Sequence, residues 1–139
     1  MTNPTAHKAL VQSFVDAWNQ RDFARFDQLM APDAVLNVGG GAVSCSPDGT
    51  RAIAETWTTA FPDWRFDLVT MVAEGDLVAA HMPYAGTFSH PLNGLLPTHR
   101  SAHVDEMVIF QIADNRVARA WEVYDEAGMW RQLGVQPPA

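Results

Sequence analysis

Pro62 marks the point at which this chain changes its apolar period: before it apolar residues recur mostly every three to four positions, and from it to about residue 124 they mostly alternate. These are the periods of helix and strand. A helical first part is therefore followed by strands that must fold back over it to cover the helices' apolar stripes. That order of elements belongs to the α+β class.

The helical part reads as three helices. Asn3 before Pro4 is a good helix start, because Asn caps free backbone N–H groups and Pro suits the first turn. Leu10, Phe14, Ala17 and Trp18 then form one stripe. Asp22 opens a second helix with Phe23, Phe26, Leu29 and Met30 on one side, and Pro32 is expected to end it. Ala34 to Val38 alternates as a first strand, Gly39-Gly40-Gly41 breaks it, and a loop is expected to about Ser46. No Walker pattern follows the glycines, so they read as a turn and not a phosphate loop. Ser46-Pro47-Asp48 caps a third helix, with Ile53, Trp57, Ala60 and Phe61 as its stripe.

Residues 64–73, 77–88, 101–113 and 116–124 are rich in Val, Ile, Phe and Thr and read as four strands. Glu74-Gly75-Asp76, a Gly/Pro-rich connection at 89–100 and Asp114-Asn115-Arg116 join them as hairpins. A curved antiparallel sheet folded over helices leaves a pocket between the layers. Only Gln136-Pro137-Pro138-Ala139 looks loose.

With 139 residues, 47% of them hydrophobic, the chain fits one compact domain spanning 1–139. Sixteen acidic residues against 9 basic give a net charge of −7, and Lys8 is the only lysine, so no basic footprint for nucleic acid exists. The apolar runs fall well short of the ~20 residues that cross a bilayer. Met1-Thr2-Asn3-Pro4 also lacks signal-peptide features. A soluble cytoplasmic protein with no membrane partner is expected. Cys45, alone, can form neither an internal disulfide nor a thiolate cluster.

Two carboxylates stand out on the strand faces. Ala102, Val104, Glu106, Val108, Phe110 and Ile112 share one face of the third long strand, while His103, Asp105, Met107, Ile109 and Gln111 share the other. Burying an unpaired charge costs several kcal/mol by order of magnitude, so Glu106 must be paired or line a pocket. In the last strand Ala118, Ala120, Glu122 and Tyr124 alternate with Val117, Arg119, Trp121, Val123 and Asp125, again placing an acid among small or aromatic neighbours. The short turn at 114–116 pairs these strands and brings Glu106 and Glu122 close together. Two close carboxyls in an apolar site cannot both ionise cheaply, so one would serve as acid and the other as base. Two partly solvated sheet-face acids are the alternative.

Trp121 to Gly134 runs from strand into a short helix that stops at the glycine. Its pattern, Trp-x-x-x-Asp-x-x-Gly-x-x-x-Gln-Leu-Gly, resembles the C-terminus of SnoaL-like polyketide cyclases, or ester cyclases, of the nuclear transport factor 2-like superfamily. Phe61-Pro62-Asp63, Ala73-Glu74-Gly75-Asp76-Leu77-Val78, and Gly94 with Pro97-Thr98 agree in the same order. The resemblance implies a cone-shaped barrel of a strongly curved, mostly antiparallel sheet packed on three N-terminal helices, with a short C-terminal helix. It also implies a homodimer, for which Trp121, Val123, Met107 and Ile109 form a candidate outward interface.

Counting back from Gln-Leu-Gly, the resemblance places Glu122 where these cyclases keep an acid/base Asp, Val108 where they carry a pocket His, and Glu106 where they carry a Gln. The expected catalytic residues are Glu122 and Glu106. Asn37 corresponds loosely to a polar pocket residue of the cyclases. Tyr124, Tyr84, Val108 and Trp57 are expected to bind substrate, Tyr124 also being able to donate to an oxyanion, with aromatic core as its alternative role. Pro83 implies a bulge or edge beside His81, a candidate proton shuttle. His90, with His99 and Arg100, belongs to a loop expected at the pocket mouth. Asp125 directly precedes the last helix and is expected to cap it. His81, His90, His99 and His103 lack metal-ligand spacing, so no metal, and equally no nucleotide or flavin, is expected.

The expected activity is therefore cofactor-independent acid/base chemistry on a small apolar, cyclic or polyketide-like carbonyl compound, with intramolecular aldol-type closure fitting best. Epoxide hydrolysis, isomerisation or dehydration by the same acids is one alternative. A non-catalytic ligand-binding or interaction domain is the other.

Overall fold

In the computed structural model, which describes residues 3–136, helix α1 (Pro4–Gln20) starts as its sequence dictates: the Asn3 side chain accepts from the Ala6 N–H at 3.1 Å. Its stripe is buried at Leu10, Ala17 and Trp18, and Arg21 closes it in the left-handed region. Arg21 also donates to the carbonyls of Trp18, Pro62 and Trp64, tying the helix end to the chain that enters the sheet.

The second helix is shorter than its sequence predicts. A 3-10 turn (Phe23–Arg25) leads into one turn of α2 (Phe26–Leu29), and Met30 already opens strand β1 (Met30–Val38). Asp22 makes no side-chain cap. Pro32 ends no helix. It sits inside β1, in the stretch between Met30 and Val35 where the pairing register shifts and no ladder hydrogen bond is asked of it. The expected loop before Ser46 is also a strand, β2 (Gly41–Ser44), paired antiparallel with β1. Gly39 and Gly40 both have positive φ, the geometry a tight hairpin requires. Helix α3 (Pro47–Ala60) is capped by Ser46 as expected, its hydroxyl accepting from the Gly49 N–H.

The long strands break near their middles. They become β3 (Arg65–Phe66) and β4 (Thr70–Glu74), β5 (Leu77–His81) and β6 (Tyr84–Thr87), and β7 (Ser101–Val104) and β8 (Glu106–Ala113), followed by an unbroken β9 (Arg116–Tyr124). The halves belong to two sheets, a six-stranded one ordered β2-β1-β9-β8-β5-β4 and a three-stranded one ordered β3-β6-β7. Only β1 with β9 is parallel. Strong curvature is thus achieved by kinks, at 67–69, at Met82-Pro83 and at Asp105, and the sheet does not close into a barrel. Bonds from Met82 N–H to the Glu106 carbonyl and from Val69 N–H to the His81 carbonyl stitch the kinks together.

Helix α4 (Glu126–Leu133) ends at Gly134 in the left-handed region, and the Asp125 side chain accepts from the Gly128 N–H at 2.9 Å, the expected cap. Gln132 exchanges two hydrogen bonds with the backbone of His103, docking α4 on β7. A Cβ at Gly128 would run into the Asp125 carboxylate. Gly128→Ala is therefore expected to lose the cap and cost about 1 kcal/mol, read as a lowered denaturant midpoint. Pro137 to Ala139 lie outside the described residues.

Candidate active site

The face assignment of the third long strand survives its kink: Ala102, Val104, Glu106, Val108, Phe110 and Ile112 are all buried. On β9 the alternation is interrupted. The β8/β9 pairing shifts by one residue next to Ala118, so Val117 turns inward with Ala120, against expectation. This bulge sets the site. Beyond it Glu106 opposes Tyr124 and Val108 opposes Glu122, which puts both acids on the inner face as diagonal neighbours.

Both acids line a cavity of about 250 Å³ between the inner sheet face and helices α1 and α3. Trp57 reaches it from α3, Trp18 from α1, and Trp64, Tyr84, Val108 and Tyr124 complete the wall around the acids. Glu106 is 4% exposed, and its carboxyl lies near enough to that of Glu122 for the two to share a proton in a hydrogen bond. Burial pushes the Glu106 pKa well above the usual carboxylate range, and the neighbouring Glu122 charge pushes it further. Burial also raises Glu122, but the hydrogen bond from Glu106 works against that rise. Both carboxyls are thus harder to ionise than free ones, Glu106 the more so, and the pair favours the arrangement in which Glu106 keeps its proton and Glu122 accepts from it.

The other titratable groups on the wall are neutral. Burial, followed by the nearby carboxyl charges, raises the Tyr84 hydroxyl and brings Tyr124 up to about 12, while burial alone takes the Cys45 thiol to about 11. Tyr84 stacks on Trp64 with centroids 4.2 Å apart, and its hydroxyl reaches only the Met129 sulfur, a weak acceptor at 3.5 Å. Neither acid is held by Arg100 or Arg119. Arg100 packs beside Gly134, and Arg119 donates to Asn37 at 2.9 Å and lies over Trp121. Among the described residues, no group of three His, Cys, Asp or Glu converges as metal ligands.

The sequence profile of SnoaL-like polyketide cyclases matches residues 8–133. The chain belongs to the SnoaL-like polyketide cyclase family. Among solved structures, TsrD from Streptomyces laurentii superposes with a TM-score of 0.86 at 28% identity, covering 98% of this chain and 100% of that one. IdmH from Streptomyces antibioticus gives 0.79 at 27% identity, covering 93% and 99%. A SnoaL-like polyketide cyclase from Agrobacterium tumefaciens shares the fold, with a TM-score of 0.78 at 21% identity over 96% of this chain and 100% of that one. No curated protein matches the sequence. The chain is thus a cyclase-like enzyme by family, and no helix among its described residues is long and apolar enough to cross a membrane.

Against that SnoaL-like background, three expected site residues fall outside the cavity. His81 pairs in register with outward-facing Met107, so strand alternation turns it outward, where its Nε2 lies 2.9 Å from Asp105 Oδ1. Asn37 is opposite Trp121 on the outer face and is taken by Arg119. His90 is exposed on a loop fastened to the Ala60 carbonyl, and neither it, His99 nor Arg100 lines the cavity. Asn37 does border a shallow groove with the Gly39 to Gly41 hairpin, and Glu122 and Tyr124 face both groove and cavity, which places them at the mouth. Sequence reasoning missed Trp18 and Trp64 as site residues: Trp18 counted as helix stripe, and Trp64 follows directly on Phe61-Pro62-Asp63, the signal that marks it.

Proposed function

We propose that this SnoaL-like protein is a cofactor-independent cyclase that closes a ring by an intramolecular aldol-type reaction on an apolar carbonyl compound. The observation that carries this reading is the adjoining Glu106–Glu122 pair in the wall of an aromatic cavity. Glu122, the charged partner at the mouth, takes a proton from the carbon next to a carbonyl. The resulting enolate carbon attacks a second carbonyl carbon of the same molecule, forming the new C–C bond. The alkoxide left on that second oxygen receives a proton from the pair, so the substrate is isomerised with no net gain or loss of atoms. Once Glu122 has taken the substrate proton and no longer accepts from its neighbour, Glu106, kept protonated by burial, turns its O–H to the developing oxyanion.

The test is deuterium incorporation next to the carbonyl of a bicyclic ketone such as 2-tetralone, followed by NMR in heavy water. Enzyme-dependent exchange supports the proton-abstraction step. Exchange no faster than in buffer overturns it.

The homodimer is part of the same proposal. Met107 and Val123 are 56% and 74% exposed, and with Ile109 and Trp121 they make an apolar stripe across β8 and β9 on the face away from the cavity. Light scattering is expected to give twice the chain mass, and Val123→Asp to give the single-chain mass. A single-chain mass for the unaltered protein removes this part.

A further inference from the structure

The cavity holds two adjoining carboxyls that no cationic group among the described residues faces. Glu106 Oε2 is buried with no hydrogen-bond partner, and the Glu106 carboxyl adjoins that of Glu122. Among the described residues no Lys, Arg or His lines the cavity, and the ion pairs lie elsewhere, at Arg51 and between His81 and Asp105. From the elements packed around the pair, Tyr84 of β6, Tyr124 of β9 and Cys45 before α3 are neutral, while Glu126 of α4 adds negative charge. The rest of the wall is rich in aromatic rings: Trp18, Trp57 and Trp64 join the two tyrosines. Aromatic faces attract cations, and Trp does so most strongly.

We infer that the ligand of this cavity carries a positively charged nitrogen, an ammonium or a protonated heterocycle, seated on the aromatic wall beside Glu106 and Glu122. A buried carboxylate pair without a counter-charge is costly, and a ligand that brings the opposite charge gains what the protein leaves unsatisfied. The same cavity repels a carboxylate-bearing ligand. This inference rests on the carbonyl-compound reading in one respect: it adds a basic nitrogen to that substrate. A positive charge close to the carbonyl also acidifies the carbon from which Glu122 takes its proton.

The test compares two molecules of nearly the same shape, phenyltrimethylammonium and tert-butylbenzene, which differ by exchange of a charged nitrogen for a carbon. Binding is followed by tryptophan fluorescence and calorimetry. The cation is expected to bind at least about tenfold more tightly, and the preference to vanish in a Glu106→Gln, Glu122→Gln double variant whose melting shows it folded. A merely apolar cavity gives the reverse order, because the hydrocarbon loses no hydration of charge on entry. Tighter or equal binding of tert-butylbenzene, absence of saturable binding of the cation, or a preference that survives in the double variant overturns the inference. Because the readout is binding without turnover, its failure and the failure of the ketone exchange assay are separate results.

Discussion

Glu122→Gln is expected to slow exchange of ketone α-protons about 10²–10⁴-fold, the usual contribution of a positioned general base. The amide keeps the size of the side chain and can still accept from Glu106, yet it cannot take a proton. The fold should therefore be unchanged, as read by thermal melting, while the exchange rate collapses. Glu122→Asp is a sharper probe, because the family resemblance places an Asp at this position. It keeps the base but withdraws it by one methylene, and a displacement of about 1 Å costs on the order of 100-fold where alignment matters. A Gln variant that exchanges protons at the unaltered rate would remove Glu122 from the mechanism and leave the cavity as a binding site.

Glu106→Gln is expected to make the protein more stable while impairing the reaction. The amide imitates the protonated acid, so at pH values where Glu106 is forced to hold a proton the variant avoids the cost of doing so, about 1.4 kcal/mol for each pH unit above the ordinary carboxylate value until the folded one is reached. The sign follows from linkage. The folded-state pKa of Glu106 is raised above the ordinary value of 4.5, so the stability contributed by its bound proton is complete below that value and is lost as pH rises through the folded one. The denaturant midpoints of variant and wild type should thus coincide in acid and separate progressively as pH rises above about 4.5. Parallel curves, or a gap that opens toward acid, would show that Glu106 is ordinarily ionised in the fold. The resemblance gives the cyclases a Gln at this position, so the substitution also asks what the second acid adds to the chemistry.

The readable part of the site was its strand-face logic. Glu106 among Val108, Phe110 and Ile112 had to face the interior, because a period of two leaves no other arrangement once one face is apolar. The same logic was blind to the bulge beside Ala118, whose extra residue corrects the register and brings Glu122 to the side of Glu106. At Met82-Pro83 the proline announced an irregularity but not its outcome, a kink that leaves His81 facing outward and carries Tyr84 into the wall. Both features depend on which sheet each half-strand joins, a long-range choice that local spacing does not encode.

The helix starts at Asn3 and Ser46, the cap at Asp125, the stop at Gly134 and the change of period at Pro62 were determined by the sequence alone, because each is a local matter of backbone hydrogen bonds and allowed dihedrals. The family was legible for the same reason, since its motifs are runs of neighbouring residues. Only the tertiary structure decided that Pro32 lies in a strand, that the sheet stays open as two kinked sheets, and that Trp18 and Trp64 meet the two glutamates across one cavity. Those outcomes follow from packing between residues far apart in the chain, where burial and pairing outweigh local preference.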